Sequence, residues 1–254
     1  MITDKSLLAF YADTVSLAYE LDAHDNPRGQ LEVCAQIDDS TGLKAMAYWD
    51  AANRQLLISI AGTDMSLADP LDTARDLWDD VGLAIARAND QMLAAKDWVT
   101  TLIGGRDAAG TAPMKITFAG HSLGGFLAQN LSNLFGTSRP AEAVLFNSTG
   151  IDPDLFGRGD ATFASSTIVC SDPRTWSIWT GAIHSFGDLD PAKLLFTWGG
   201  ADSGIGFNGH GIADLVTALK SDAVRLVDAA GLEDLMLQSL LDEETTVAAF
   251  EAFA

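Results

Sequence analysis

The spacing of apolar positions along the chain changes period several times, and each change marks an element. Residues 6–20 carry Leu7, Leu8, Phe10, Tyr11, Val15, Leu17, Ala18 and Tyr19 at a spacing that fits one packed helix. This helix stops before the Gly- and Pro-containing turn region of residues 22–29 and carries no side chain with evident chemistry. Three extended runs follow, over 31–37, 43–49 and 56–61. Asp50-Ala51-Ala52-Asn53 reads as a hairpin connection between the second and the third. The pattern then predicts a long helix over 81–102, broken at Gly104-Gly105, and a loop over 106–114. Next come a β-branched and aromatic run from Lys115 to Ala119 and a helix with Leu123, Phe126, Leu127, Leu131, Leu134 and Phe135 on its apolar positions. Residues 141–147 and 167–170 read as buried strands, and residues 232–254 as a helical tail. Strands that alternate with helices imply an α/β domain with a mostly parallel, buried sheet.

One junction organises the rest. The run from Lys115 meets its helix through Gly120-His121-Ser122-Leu123-Gly124-Gly125, a Gly-x-Ser-x-Gly pattern. A serine forced onto a tight strand-to-helix turn needs neighbours without bulk, and Gly120 and Gly124 sit two residues to either side. The helix that follows aims its free N–H groups and positive dipole end at the same spot. Ser122 is thus the candidate nucleophile. A glycine-rich turn with an idle serine is the bland reading, and the strand before and the helix after weigh against it.

Length and charge narrow the setting. The 254 residues, 48% of them hydrophobic, suffice for one large domain, so residues 1–254 are expected to form a single unit. No apolar run reaches the roughly 18 residues a spanning helix needs, and Met1-Ile2-Thr3-Asp4-Lys5 lacks the basic start of a cleaved secretory signal. The net charge of −20 comes from 35 acids against 15 bases. Such a surface repels phosphate backbones and anionic membrane faces, which excludes a nucleic-acid binder and favours neutral substrates. Cys34 and Cys170 cannot build a disulfide framework and are expected to be free, buried thiols.

The third extended run ends in Ile60-Ala61-Gly62-Thr63-Asp64. Next to a nucleophile elbow, an oxyanion hole takes one N–H from the residue after the serine and one from the loop after an earlier strand. Leu123 and Thr63 are the candidates, with the Thr63 hydroxyl as a further donor. In residues 64–80, Met65, Leu67, Leu71, Leu77 and Trp78 alternate with six aspartates. The segment reads either as a lid over the site, in interfacial contact with lipid, or as a surface helix with an acidic face. Its aspartates do not have the spacing of an EF-hand loop; a structural calcium is the one ion they suggest.

Together, Ile60-Ala61-Gly62-Thr63-Asp64, the elbow Gly120-His121-Ser122-Leu123-Gly124-Gly125 and Asp172-Pro173 resemble the class 3 lipase family of the α/β-hydrolase fold. Phe146-Asn147-Ser148-Thr149-Gly150 is similar to a strand end of its bacterial phospholipase-like relatives. Ala61 stands where family members often carry an arginine, and Asp80 resembles the family acid that props the oxyanion hydroxyl. In this fold the triad runs serine, acid, histidine along the chain. Asp172, at the end of a strand run, is the candidate acid, and His184 and His210 are the histidines that follow it. The resemblance favours His210, which precedes a late helix, as the base. It implies a carboxylic ester hydrolase acting on lipid-like esters with Ser122, Asp172 and His210 as triad and no required metal or cofactor. The alternatives are an acyltransferase or thioesterase with the same triad, or a catalytically silent binding protein. The apolar C-terminal tail resembles uncleaved bacterial export signals, which implies secretion without an N-terminal signal; the other expectation is a docked helix in a cytoplasmic protein.

Overall fold

A computed structural model describes residues 2–21, 31–62, 73–148, 165–170, 194–198, 211–228, 230, 231 and 234. The first helix, α1 (Lys5–Glu20), starts at Asp4, whose carboxylate accepts from the Ser6 and Leu7 N–H groups and so satisfies two donors the helix leaves unpaired. Strands β1 (Glu32–Asp38), β2 (Lys44–Asp50) and β3 (Gln55–Ile60) form an antiparallel meander. Its second turn is closed by Asp50, which accepts from both the backbone and the side-chain amide of Asn53. Those bonds hold the Asp50 carboxyl below its ordinary pKa, the side-chain bond most of all.

From β3 the sheet continues in parallel through β4 (Lys115–His121), β5 (Ala141–Phe146), β6 (Ser165–Cys170) and β7 (Leu194–Trp198), and β8 (Arg225–Asp228) closes it antiparallel to β7. Strand order across the sheet follows the order along the chain. Five parallel neighbours place their carboxyl ends on one edge, which is where an open α/β sheet gathers its chemistry.

The pleat sorts side chains into two cores. Ala45, Ala47, Leu56, Ile58, Ile60, Ile116 and Phe118 face α2 (Thr73–Ala108) and α3 (Leu123–Phe135). Met46, Tyr48, Leu57, Ala119, Val144 and Phe146 face α1 and α4 (Ile212–Lys220). Residues one apart on a strand serve opposite layers, as a period of two requires. On α1 a buried polar pair sits among the apolar contacts. Ser59 donates to Thr14 at 2.8 Å and Thr14 donates to the Tyr11 carbonyl at 2.8 Å, so no hydroxyl is left without a partner and the helix is pinned in register on β3.

Helix α2 departs from the sequence expectation at both ends. It begins at Thr73 instead of residue 81, and it runs through Gly104 and Gly105 to Ala108, so residues 106–108 are helix and not loop. Each glycine costs a helix about 1 kcal/mol relative to alanine. Burial of Met92, Val99 and Ile103 against the sheet, worth about 1.5–3 kcal/mol each, outweighs that. A Cβ on either glycine would meet nothing within 4 Å, so both lie on the open side. Arg106 in the last turn complements the helix dipole and stacks 4.4 Å over the Trp49 ring. The stop comes at Gly110, whose φ of +70° closes the end while Thr111 N–H reaches the Arg106 carbonyl.

Strands β7 and β8, five and four residues long, are not announced by the hydrophobic pattern. Of the expected tail helix over 232–254, only residue 234 is described, in helical conformation. Helix α4 packs on α1, where Lys5 donates to the Ser221 and Val224 carbonyls and Lys220 pairs with Asp13 at 2.7 Å.

Candidate active site

Strand β4 ends at His121 and α3 begins at Leu123, which leaves Ser122 as the single residue of the turn. Its φ of +55° and ψ of −124° lie outside the regions an L-residue ordinarily occupies. Surrounding contacts hold it there. Ser122 N–H donates to the Phe146 carbonyl at 3.0 Å, which carries the β4–β5 ladder one residue past the strand, and Gly125 N–H bonds back to the Ser122 carbonyl at 3.0 Å. The two flanking glycines are required by approach distance. A Cβ on Gly120 would stand 2.1 Å from the Gly124 carbonyl oxygen, and one on Gly124 would stand 2.4 Å from the Ile60 oxygen. Side chains there would push the strand, the helix and β3 apart.

This turn gives Ser122 two properties of a nucleophile. Its side chain makes no capping bond to α3, so the hydroxyl is not consumed by the helix it precedes. The first N–H groups of α3 have no carbonyl of their own helix to meet, so they form a local field that favours negative charge. Leu123, the expected first oxyanion donor, is the opening residue of that helix and is half-buried beside half-buried Ser122.

The neighbouring strand ends complete a rim. Past β3, Gly62 packs so closely on the elbow that a Cβ there would lie 2.7 Å from the His121 carbonyl oxygen and 3.0 Å from the Ser122 Cβ. Past β5, Asn147 takes a φ of +44° and donates its N–H to the Val169 carbonyl at 2.9 Å, and buried Ser148 faces Gly125 across a gap that admits no Cβ. From α1, the Tyr19 phenol oxygen accepts from the Gly62 N–H at 2.9 Å and lies 2.7 Å from His121 Nδ1. The expectation that the first helix carries no chemistry is thus corrected: its last turn reaches the elbow. Tyr19 escapes a sequence reading because it occupies an ordinary apolar position of an amphipathic helix and its partner His121 is 102 residues away.

Of the other site residues expected from sequence, Thr63, Asp172, His184 and His210 lie outside the described residues, as do residues 64–72. Residues 73–80 belong to α2, which joins the second half of the acidic segment to a long helix. Strand β6 ends at Cys170, and Gly211 is the N-cap of α4. Both cysteines are free thiols, and burial raises both, Cys170 to about 12. Among the described residues no cluster of three or more His, Cys, Asp or Glu forms a metal-binding group, and no helix is long and apolar enough to cross a membrane.

No family model and no curated protein matches the chain. Among solved structures it is similar to a triacylglycerol lipase from Penicillium expansum, at 15% identity and a TM-score of 0.48, over 65% of this chain and 67% of that one. It is also similar to a lipase from Rhizopus microsporus var. chinensis, at 13% identity and a TM-score of 0.48, over 66% and 67% of the two chains. Lipase II from Rhizopus niveus aligns at 15% identity and a TM-score of 0.48, over 79% and 82%. By its own sheet, with helices on both faces and a strained serine between a central parallel strand and the next helix, the chain adopts the α/β-hydrolase fold.

Proposed function

We propose that the chain is a serine carboxylic ester hydrolase that cleaves lipid-like acyl esters. The observation that carries this reading is the backbone of Ser122, held at a φ of +55° between β4 and α3 with its hydroxyl uncommitted to the helix. A strained serine is costly to keep, and Gly120 and Gly124 provide the close main-chain approach that keeps it.

In the mechanism that follows, Ser122 Oγ attacks the ester carbonyl carbon while His210 takes its proton, and Asp172 orients the imidazole. The carbonyl π electrons move onto oxygen, where the Leu123 N–H and Thr63 meet the charge. Each such donor is worth roughly 10²–10³ in kcat. Collapse of the intermediate expels the alcohol, which receives the proton from His210. Water, activated by the same histidine, then releases the acid from the acyl-enzyme. Asp172 stands two residues past the end of β6, a parallel strand whose carboxyl end shares the edge with Ser122, and His210 stands one residue before the N-cap of α4. The net charge of −20 favours neutral esters over anionic phospholipids.

The test is covalent labelling of the purified chain with a fluorophosphonate, mapped by mass spectrometry and run with p-nitrophenyl esters of increasing acyl length. Label on Ser122 and loss of ester hydrolysis by about 10⁶-fold in Ser122→Ala are expected, with a steep loss of labelling in His210→Ala. Loss confined to His184→Ala would move the base to that residue. Absence of any label, with or without detergent, would overturn the hydrolase reading in favour of a silent binding protein.

A further inference from the structure

We infer that Tyr19 is a positioning residue for the oxyanion pocket, tying Gly62, just past the end of β3, to the nucleophile elbow; this rests on the ester-hydrolase reading above. Three elements meet at one phenol oxygen. The Gly62 N–H donates to it at 2.9 Å, His121 Nδ1 lies 2.7 Å from it, and the ring belongs to α1. Gly62 is the residue before Thr63, and His121 is the residue before Ser122. The phenol thus links the residue that precedes the candidate donor Thr63 to the residue that precedes the nucleophile and the second candidate donor, Leu123.

A hydroxyl on a rigid ring suits this task. It accepts from a backbone N–H and shares a proton with an imidazole nitrogen at once, which neither phenylalanine nor an aliphatic side chain can do. Its anchor is fixed, because α1 is pegged to the same strand, β3, by the bond from Ser59 to Thr14. The contact also leaves no room to adjust. A Cβ on Gly62 would lie 2.7 Å from the Tyr19 hydroxyl as well as from the His121 carbonyl oxygen, so Gly62 is held against the phenol and the elbow together. Oxyanion donors work over a range of a few tenths of an ångström, about 2.7–3.1 Å from the developing charge. A misplacement of about 1 Å costs on the order of 10²-fold in rate. A post that sets this spacing acts on the transition state and leaves substrate binding alone.

The test is Tyr19→Phe in the full chain, with active sites counted by fluorophosphonate titration and exchange of the Gly62 amide followed by NMR. The expected result is a fall in kcat per titrated site of about 10- to 100-fold with KM unchanged, together with faster exchange at Gly62. A merely structural role would lower the number of titratable sites and leave kcat per site alone. His121→Leu and the double variant complete a cycle. The double variant should fall no further than the lower of the two single variants, because both break the same bridge. Unchanged kcat per site in Tyr19→Phe overturns the inference, whether or not Gly62 exchange rises, and unchanged exchange removes the bridge itself. A wild-type chain that takes no label and cleaves no ester sinks the hydrolase reading, and this inference with it, before any Tyr19 variant is made.

Discussion

The two ends of the parallel strands both carry buried polar groups, but they use them in opposite ways. At the amino edge, Gln55 on β3 donates to Thr117 on β4 at 2.6 Å, Thr117 donates to Glu142 on β5 at 2.9 Å, and Lys115 pairs with Glu142 at 2.6 Å. Side chains there satisfy one another across three strands, and these residues keep ordinary strand geometry. At the carboxyl edge the backbone is what is unusual: Ser122 and Asn147 have positive φ, and Gly62, Gly120 and Gly124 sit where a Cβ would strike main chain. Polar contacts at the first edge fasten strands together. At the second edge they hold the chain in a shape it would otherwise leave, which is the mark of a site where strain has a use.

The comparison breaks most decisively at Gly124. In Gly124→Ala the new methyl would stand 2.4 Å and 2.5 Å from the Ile60 and Ala61 carbonyl oxygens, so the end of β3 must retreat from the elbow. We expect destabilisation of about 3 kcal/mol by chemical denaturation, and loss of fluorophosphonate labelling in whatever remains folded. A stable, fully labelled variant would mean that close packing at this edge is incidental. At the opposite edge, Thr117→Val removes one acceptor and one donor from a fully buried position without changing shape. The expected cost is about 1–2 kcal/mol, with labelling rate and kcat unchanged; a fall in kcat would show that the two edges are coupled through β4. The smallest effect concerns thiols. Cys170 ends β6 at the carboxyl edge, where burial pushes it up to about 12, and burial also raises half-buried Cys34. At pH 8 both are protonated and iodoacetamide should modify neither in the native state, whereas denaturant should expose both. Rapid native modification of Cys170 would show that water reaches the end of β6.

Which features the sequence reveals depends on how local their physics is. The elbow is legible because its tightest approach, Gly120 against the Gly124 carbonyl, falls within five residues, so the glycines are spelled next to the serine they serve. The α/β alternation is legible for the same reason, since period two and helical spacing are properties of short windows. The course of α2 through Gly104 and Gly105 is not, because the side chains that hold it, Met92, Val99 and Ile103, draw their stability from β-strands elsewhere in the chain. Strand β8 offers only Arg225-Leu226-Val227-Asp228, too short to show a period, and is recognised by its pairing with β7. Tyr19 and Ser148 meet the elbow only through the fold. For Ser148, β5 must first lie beside β4; for Tyr19, α1 must first dock on β3.

That docking has a consequence for the order in which a ribosome delivers the protein. Helix α1 precedes every strand of the sheet along the chain, yet Lys5 grips the carbonyls of Ser221 and Val224, and Asp13 waits for Lys220. More than two hundred residues separate these partners, so the nascent helix cannot be clasped there until α4 and the residues just after it have been made. Because the same helix brings Tyr19 to the elbow, a segment made early is locked late, and the strained serine meets its full surroundings only after α4 has left the ribosome.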